Sequence, residues 1–169
     1  MSDSAIFDAT SIRALRDCCS RFATGVAVIT TRTPEGDHGM TLSAFMSVSL
    51  DPPLICISVD KRAKMLPRIE ASEQYVVNVL PEHMRAHALH FAGRPEAGLT
   101  DLFEERYGLP VLREAAAVIV TDLVQCVTAG DHVLLVGHVR HFRHDSFARP
   151  LLWYAGEFGS LAAWANPAI

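Results

Sequence analysis

His38-Gly39-Met40-Thr41-Leu42-Ser43-Ala44-Phe45-Met46-Ser47-Val48-Ser49-Leu50-Asp51-Pro52-Pro53 is the stretch on which the fold reading turns. Its apolar residues lack the three-to-four spacing of a helix, and the run reads as extended over 38–49. Asp51-Pro52-Pro53 breaks it, because two prolines do not fit a sheet interior. Hydroxyls stand at positions 41, 43, 47 and 49. On one ideal strand that odd spacing puts all four on a single face. A face of hydroxyls and amides beside Met and Phe suits a flat heteroaromatic ring with polar edges, such as an isoalloxazine. A solvent-facing strand side carries Ser and Thr equally well.

Outward from this stretch the pattern stays β-rich. Upstream, Ile12, Leu15, Cys19 and Phe22 recur at helical spacing, Thr10 or Ser11 can cap that helix, and Gly25 ends it. Val26–Thr31 is strand-like, and Thr33-Pro34-Glu35-Gly36-Asp37 reads as a hairpin turn. Downstream, strands are predicted at 54–59 and 75–80, with a loop entering a short helix over 61–71 between them. Pro81 suits the first turn of another helix reaching Phe91. Residues 93–110 are punctuated by Gly and Pro and read as an irregular, mobile loop. Two long β stretches, 115–128 and 131–143, flank Ala129-Gly130, a hairpin signal. A last strand is predicted at 151–154. Hairpins dominate and strict βαβ alternation is absent. The pattern predicts a mainly β fold, an antiparallel barrel with a few peripheral helices. No GxGxxG follows the first strand, which argues against a Rossmann cofactor site.

The chain has 169 residues, which reads as a single domain, with 1–9 a flexible arm. A formal charge of −4 argues against nucleic acid or an anionic membrane as partner. No leader is visible and the apolar runs are too short to span a bilayer, so a soluble cytoplasmic protein is expected. Cys18, Cys19, Cys56 and Cys126 form no CxxC pair and read as reduced thiols, the adjacent pair as helix packing.

Arg21-Phe22-Ala23-Thr24-Gly25-Val26-Ala27-Val28-Ile29-Thr30-Thr31, followed by His38 through Pro53, resembles the short-chain flavin reductases, the reductase components of two-component flavin monooxygenases. The resemblance continues at Asp60–Lys64, Val77–Leu80, Phe91–Arg94, Gly130-Asp131-His132 and Pro150–Gly159. It implies an FMN-binding split β-barrel, commonly a homodimer. The implied activity takes a hydride from NADH or NADPH, passes it to FMN or FAD, and supplies reduced flavin to a separate monooxygenase. By the same resemblance Thr41, Leu42, Ser43 and Ala44 lie along the isoalloxazine edge, and Ser47 and Ser49 near the ribityl chain. Ser58, Val59, Asp60, Lys61, Ala63 and Lys64 match the part that holds the flavin phosphate. A cation and free amides at a helix start favour such a dianion. Relatives often carry Ser or Thr where Ala63 and Met65 stand, which shifts phosphate binding toward amides. Phe91 and Arg94 match a stretch that approaches the flavin. His132 is the expected catalytic-site residue, contacting the nicotinamide, with Tyr154, Phe158 and Gly159 close by. Positioning two rings is the main protein contribution to hydride transfer.

His83, His87 and His90 share a helix face and could stack on zinc, but no HExxH or Cys partner accompanies them, so no metal is expected. No Gly-x-Ser-x-Gly elbow supports a hydrolase. The rivals are a non-catalytic flavin- or haem-binding split barrel, a pyridoxine-phosphate oxidase-like enzyme, and a structural subunit of a monooxygenase. Gly130-Asp131-His132 favours a reductase, since a binding module needs no nicotinamide site.

Overall fold

A computed structural model describes residues 11–162; Thr10 and the expected 1–9 arm lie outside the described residues. The strands are β1 (Thr24–Gly25), β2 (Ala27–Thr33), β3 (Gly36–Leu42), β4 (Phe45–Leu50), β5 (Pro53–Asp60) and β6 (Gln74–Val79). They continue as β7 (Phe103–Arg106), β8 (Leu109–Leu112), β9 (Ala117–Ala129), β10 (His132–His144), β11 (Leu152–Tyr154) and β12 (Glu157–Gly159). Helices α1 (Ile12–Cys19), α2 (Met65–Ser72) and α3 (Arg85–Phe91) are peripheral, and α3 follows a 3-10 turn at Glu82–Met84.

Seven strands form one antiparallel sheet in the order β3-β2-β6-β9-β10-β5-β4. Its outer strands, β3 and β4, are consecutive in the chain and joined only by Ser43-Ala44. Three Cα steps separate Leu42 from Phe45, so the two edges come within about 11 Å there. The sheet must therefore curl into a barrel whose seam is Ser43-Ala44. The amide of Ser58 donates to the Ala44 carbonyl at 3.1 Å and fastens the crossing to β5.

The curl gives two cores. Ile29, Ile57, Tyr75, Val77 and Leu135 pack inside, capped by Met65, Leu66 and Ile69 of α2. Val28, Val76, Val118 and Val120 face outward, under α3 and the β7–β8 hairpin. Buried Asn78 ties that hairpin down: its Oδ1 accepts from the Leu112 amide at 2.9 Å, and its Nδ2 donates to Val28 and Thr30.

Several expectations are corrected. Residues 38–49 are two strands at opposite edges, and β4 bulges against β5 between Ser47 and Ser49. The four hydroxyls therefore do not share one strand face. Gly93–Pro110 is only partly irregular, since β7 and the start of β8 occupy its end. Helix α1 stops at Cys19, short of Phe22 and Gly25, and buries none of its residues. Ser11 sits at its N-cap without a side-chain bond. Cys18 and Cys19 are exposed, not packed. The last strand has a partner, β12, across a turn in which Ala155 and Gly156 both take positive φ. No helix among the described residues is long and apolar enough to cross a membrane.

Candidate functional site

The seam is where backbone groups are left over. A strand that leaves one sheet edge for the other gives up its ladder partners for the residues in between. The Ser43 and Ala44 amides have no hydrogen-bond partner among the described residues, and Ala44 is exposed. Next to them lies a groove of about 260 Å³, lined by Phe22, Thr24, Gly25, Leu42, Ser43 and Phe45. The Thr24 hydroxyl is buried there without a partner. The residues alone do not single out Thr24; its one signal is a place within the Arg21–Thr31 block.

The hairpin turn that carries His132 stands at the C-terminal end of β5, two residues beyond Ser58. Pairing sets His132 opposite both Asp60 and Ala129, and leaves a two-residue loop of Gly130-Asp131. Gly130 has φ of 61°, the conformation a two-residue hairpin loop of this kind asks of a glycine. His132 Nδ1 lies 2.8 Å from Asp131 Oδ1. A carboxylate only accepts, so Nδ1 carries the proton and, in the neutral ring, Nε2 is left as an acceptor. The hydrogen bond from His132 holds the Asp131 carboxyl below its usual range.

Lys61 latches this turn to the next one. Its amide donates to the Asp131 carbonyl at 3.0 Å, and its Nζ to the Gly130 carbonyl at 2.6 Å. Arg62 is closed onto Asp60 through Nη2 at 2.7 Å, and that hydrogen bond keeps the Asp60 carboxyl well below the usual carboxylate range. Lys64, exposed at the N-cap of α2, has no such partner among the described residues. The Lys64 and Met65 amides are likewise unpaired at this helix start. Val59 is buried, so it presents only backbone; Ser58 and Ala63 are half-buried.

Ser43, Ala44, Ser58–Lys64 and His132 are thus brought together along β5. Other expected residues sit apart. The Thr41 hydroxyl donates to the Ala88 carbonyl of α3 at 2.8 Å. Ser47 and Ser49 pair near the opposite end of β5, at Ile55 and Leu54. Phe91 packs on Gly39, where a Cβ would overlap its ring. Arg94 is exposed in the loop after α3. Tyr154, Phe158 and Gly159 belong to the small β1-β11-β12 sheet, joined to the groove through the pairing of Thr24 with Trp153. His83 faces Glu114 at 3.0 Å and His90 accepts from the Glu96 amide, while His87 Nδ1 is buried without a partner among the described residues. A larger cavity, about 520 Å³, lies elsewhere, under the β7–β8 hairpin.

Residues 19–162 match the family model for the flavin reductase like domain. The chain belongs to this family. Among curated relatives, the NADH-dependent flavin reductase of a Rhodococcus species is 40% identical over 150 residues, 87% of this chain and 85% of its own length. The reductase component of 4-hydroxyphenylacetate 3-monooxygenase from Thermus thermophilus is 38% identical over 141 residues, 83% of this chain and 91% of its own. Among solved structures, flavin reductase PheA2 superposes with a TM-score of 0.87 at 42% identity, covering 90% of this chain and 99% of that one. The Streptomyces globisporus NADH:FAD oxidoreductase SgcE6, in complex with NAD and FAD fragments, has a TM-score of 0.87 at 30% identity over 96% of this chain and 100% of that one. The fold is the expected mainly β split barrel.

For a member of the flavin reductase family, the residues present fit a flavin. The unpaired Ser43 and Ala44 amides match the carbonyl edge of an isoalloxazine. The unpaired amides and cation at the start of α2 match a phosphate dianion.

Proposed function

We propose that the protein is an NAD(P)H:flavin oxidoreductase that reduces FMN or FAD and hands the reduced flavin to a separate flavin-dependent monooxygenase. The observation that carries this reading is the juxtaposition along β5. Unpaired amides at Ser43-Ala44 and at the α2 start stand beside a histidine whose tautomer is fixed by Asp131. Bound flavin supplies the ring that accepts hydride. The chain supplies placement. Ser43 and Ala44 amides donate to the ring edge, and Lys64 with the α2 amides holds the phosphate. His132 Nε2 accepts from the nicotinamide carboxamide and sets that ring against the flavin. The Lys61 latch keeps the two turns in register. Near-contact of the rings is the main requirement of hydride transfer, and no strong acid or base is needed.

The outer residues take weaker parts in this reading. Thr41 and Leu42 shape the seam, Ser47 and Ser49 its far end, Phe91 borders it from α3 and Arg94 from the loop that follows. Tyr154, Phe158 and Gly159 form the C-terminal side of the nicotinamide approach. The single domain acts as a homodimer. Support comes from apolar side chains left open on β4 and near α1, Leu50 at 93% and Phe22 at 79% exposure. The four free thiols suit a reducing, cytoplasmic setting.

Loss of NADH absorbance by purified protein, with and without added FMN, tests the activity. Turnover that depends on flavin is expected. Flavin binding without turnover on NADH or NADPH would instead make this a binding module and remove the role of His132.

A further inference from the structure

Beneath the β7–β8 hairpin lies the cavity of about 520 Å³, on the outer face of the barrel. Its floor is apolar: Val111, Val118 and Val120 are almost fully buried. Its wall is cationic. Arg106, Arg113 and Arg143 line it against a single carboxylate, Glu104, in a protein whose net charge is negative. Arg106 Nη2 lies 3.3 Å from Glu104, Arg113 reaches Asp101 and the Phe103 carbonyl, and Arg143 reaches the carbonyls of Leu112, Arg113 and Ala115 with Glu104 3.8 Å from its Nη2. Each guanidinium has five N–H donors. More than half of the total is left without a protein partner among the described residues.

The lip of the cavity is aromatic and strained. Tyr107 stacks on His141 of β10 with centroids 3.8 Å apart and planes within 6°. Tyr107 has φ of 55° and Gly108 of 77°. That pair of left-handed residues is the turn that favours Asn-Gly. A tyrosine there costs on the order of 1 kcal/mol of backbone strain. The turn would be better served by asparagine, yet it holds an exposed ring over the cavity mouth.

We propose that this cavity is a second small-molecule site, taking a planar aromatic carboxylate. The ring lies on the valine floor and extends the Tyr107–His141 stack. The carboxylate meets free guanidinium N–H groups, whose fork geometry matches it. The volume falls within the range of ordinary ligand pockets.

The probe is 2-naphthoate, titrated calorimetrically into the full chain, with neutral 2-naphthamide as control. Saturable 2-naphthoate binding is expected, with 2-naphthamide weaker by about tenfold or more, as loss of a charge-assisted pair implies. Arg106→Gln should weaken 2-naphthoate by about tenfold and leave flavin-dependent NADH oxidation unchanged. Tyr107→Asn should also weaken it while the thermal midpoint holds or rises, because asparagine suits the turn. The site is overturned by any of four results. These are no saturable binding, equal binding of the amide, competition by FMN, or unchanged affinity in both variants. None of them bears on the flavin site, which is assayed separately.

Discussion

His132 and Asp131 act as a unit in this reading, because a carboxylate that only accepts fixes which ring nitrogen carries the proton. On the proposed role, replacing His132 with alanine removes a contact to the nicotinamide and leaves the seam amides in place. The expected result is an NADH KM raised about tenfold with flavin affinity changed little, read from steady-state kinetics beside a flavin titration. Equal weakening of both would remove the role. The cations separate in the same way. Lys61 is spent on the Gly130 carbonyl and Arg62 on Asp60, and Lys64 at the α2 start has no such partner among the described residues. Lys64→Ala should weaken FMN by about tenfold and riboflavin hardly at all, since only FMN carries a phosphate. A riboflavin loss as large would dissolve the phosphate assignment. Ala63 and Met65 bring no hydroxyl here, so the proposed phosphate site rests on the amides and Lys64.

The elements that place these residues are held by close packing at a few points. Gly137, beside a register shift in the β9–β10 pairing, lies under the buried Tyr75 ring, whose hydroxyl donates to the Leu135 carbonyl at 3.2 Å. A Cβ at Gly137 would overlap the Tyr75 hydroxyl and stand 2.8 Å from Thr121 Cβ. Gly137→Ala should therefore cost about 1–3 kcal/mol, seen as a lower urea midpoint at unchanged m-value. An unaltered midpoint would mean that Tyr75 moves aside freely. The β7–β8 hairpin shows how an element escapes the sequence. Phe103-Glu104-Glu105-Arg106 lacks alternation, and its strands form because Leu109, Val111 and Leu112 dock on the outer core and Asn78 receives the Leu112 amide. The Gly130 turn was readable for the opposite reason: a two-residue hairpin loop needs positive φ, and glycine is the residue that supplies it.

For the whole molecule, the open apolar side chains of β4 and α1 predict that charge on β4 separates two copies. If the proposed homodimer forms through this face, Val48→Glu with Leu50→Glu should halve the sedimenting mass; an unchanged mass would remove β4 from the proposed interface. Acid should loosen the fold through two histidines. Burial holds His38 and His87 below their ordinary value, with Arg68 adding to the effect at His38 and Glu114 opposing it at His87. The folded state thus binds fewer protons than the unfolded one. Stability is full above the unfolded value near about 6.5 and falls as pH drops from there through the depressed folded values. The thermal midpoint should fall between about pH 7.5 and about pH 5.5, and His87→Gln should blunt the fall; a flat profile would contradict it. Local chemistry is legible in the residues: the β-rich hairpin pattern, the break at Asp51-Pro52-Pro53, the Gly130 turn, and the family through motifs in order. The split of residues 38–49 at Ser43-Ala44 is not local. No glycine or proline marks that break. It exists because the closing barrel sends the chain from one sheet edge to the other, and the same closure frees the amides and sends Thr41 to α3. Whether α1 hides its apolar stripe is likewise not written in its spacing, since burial depends on what packs against it.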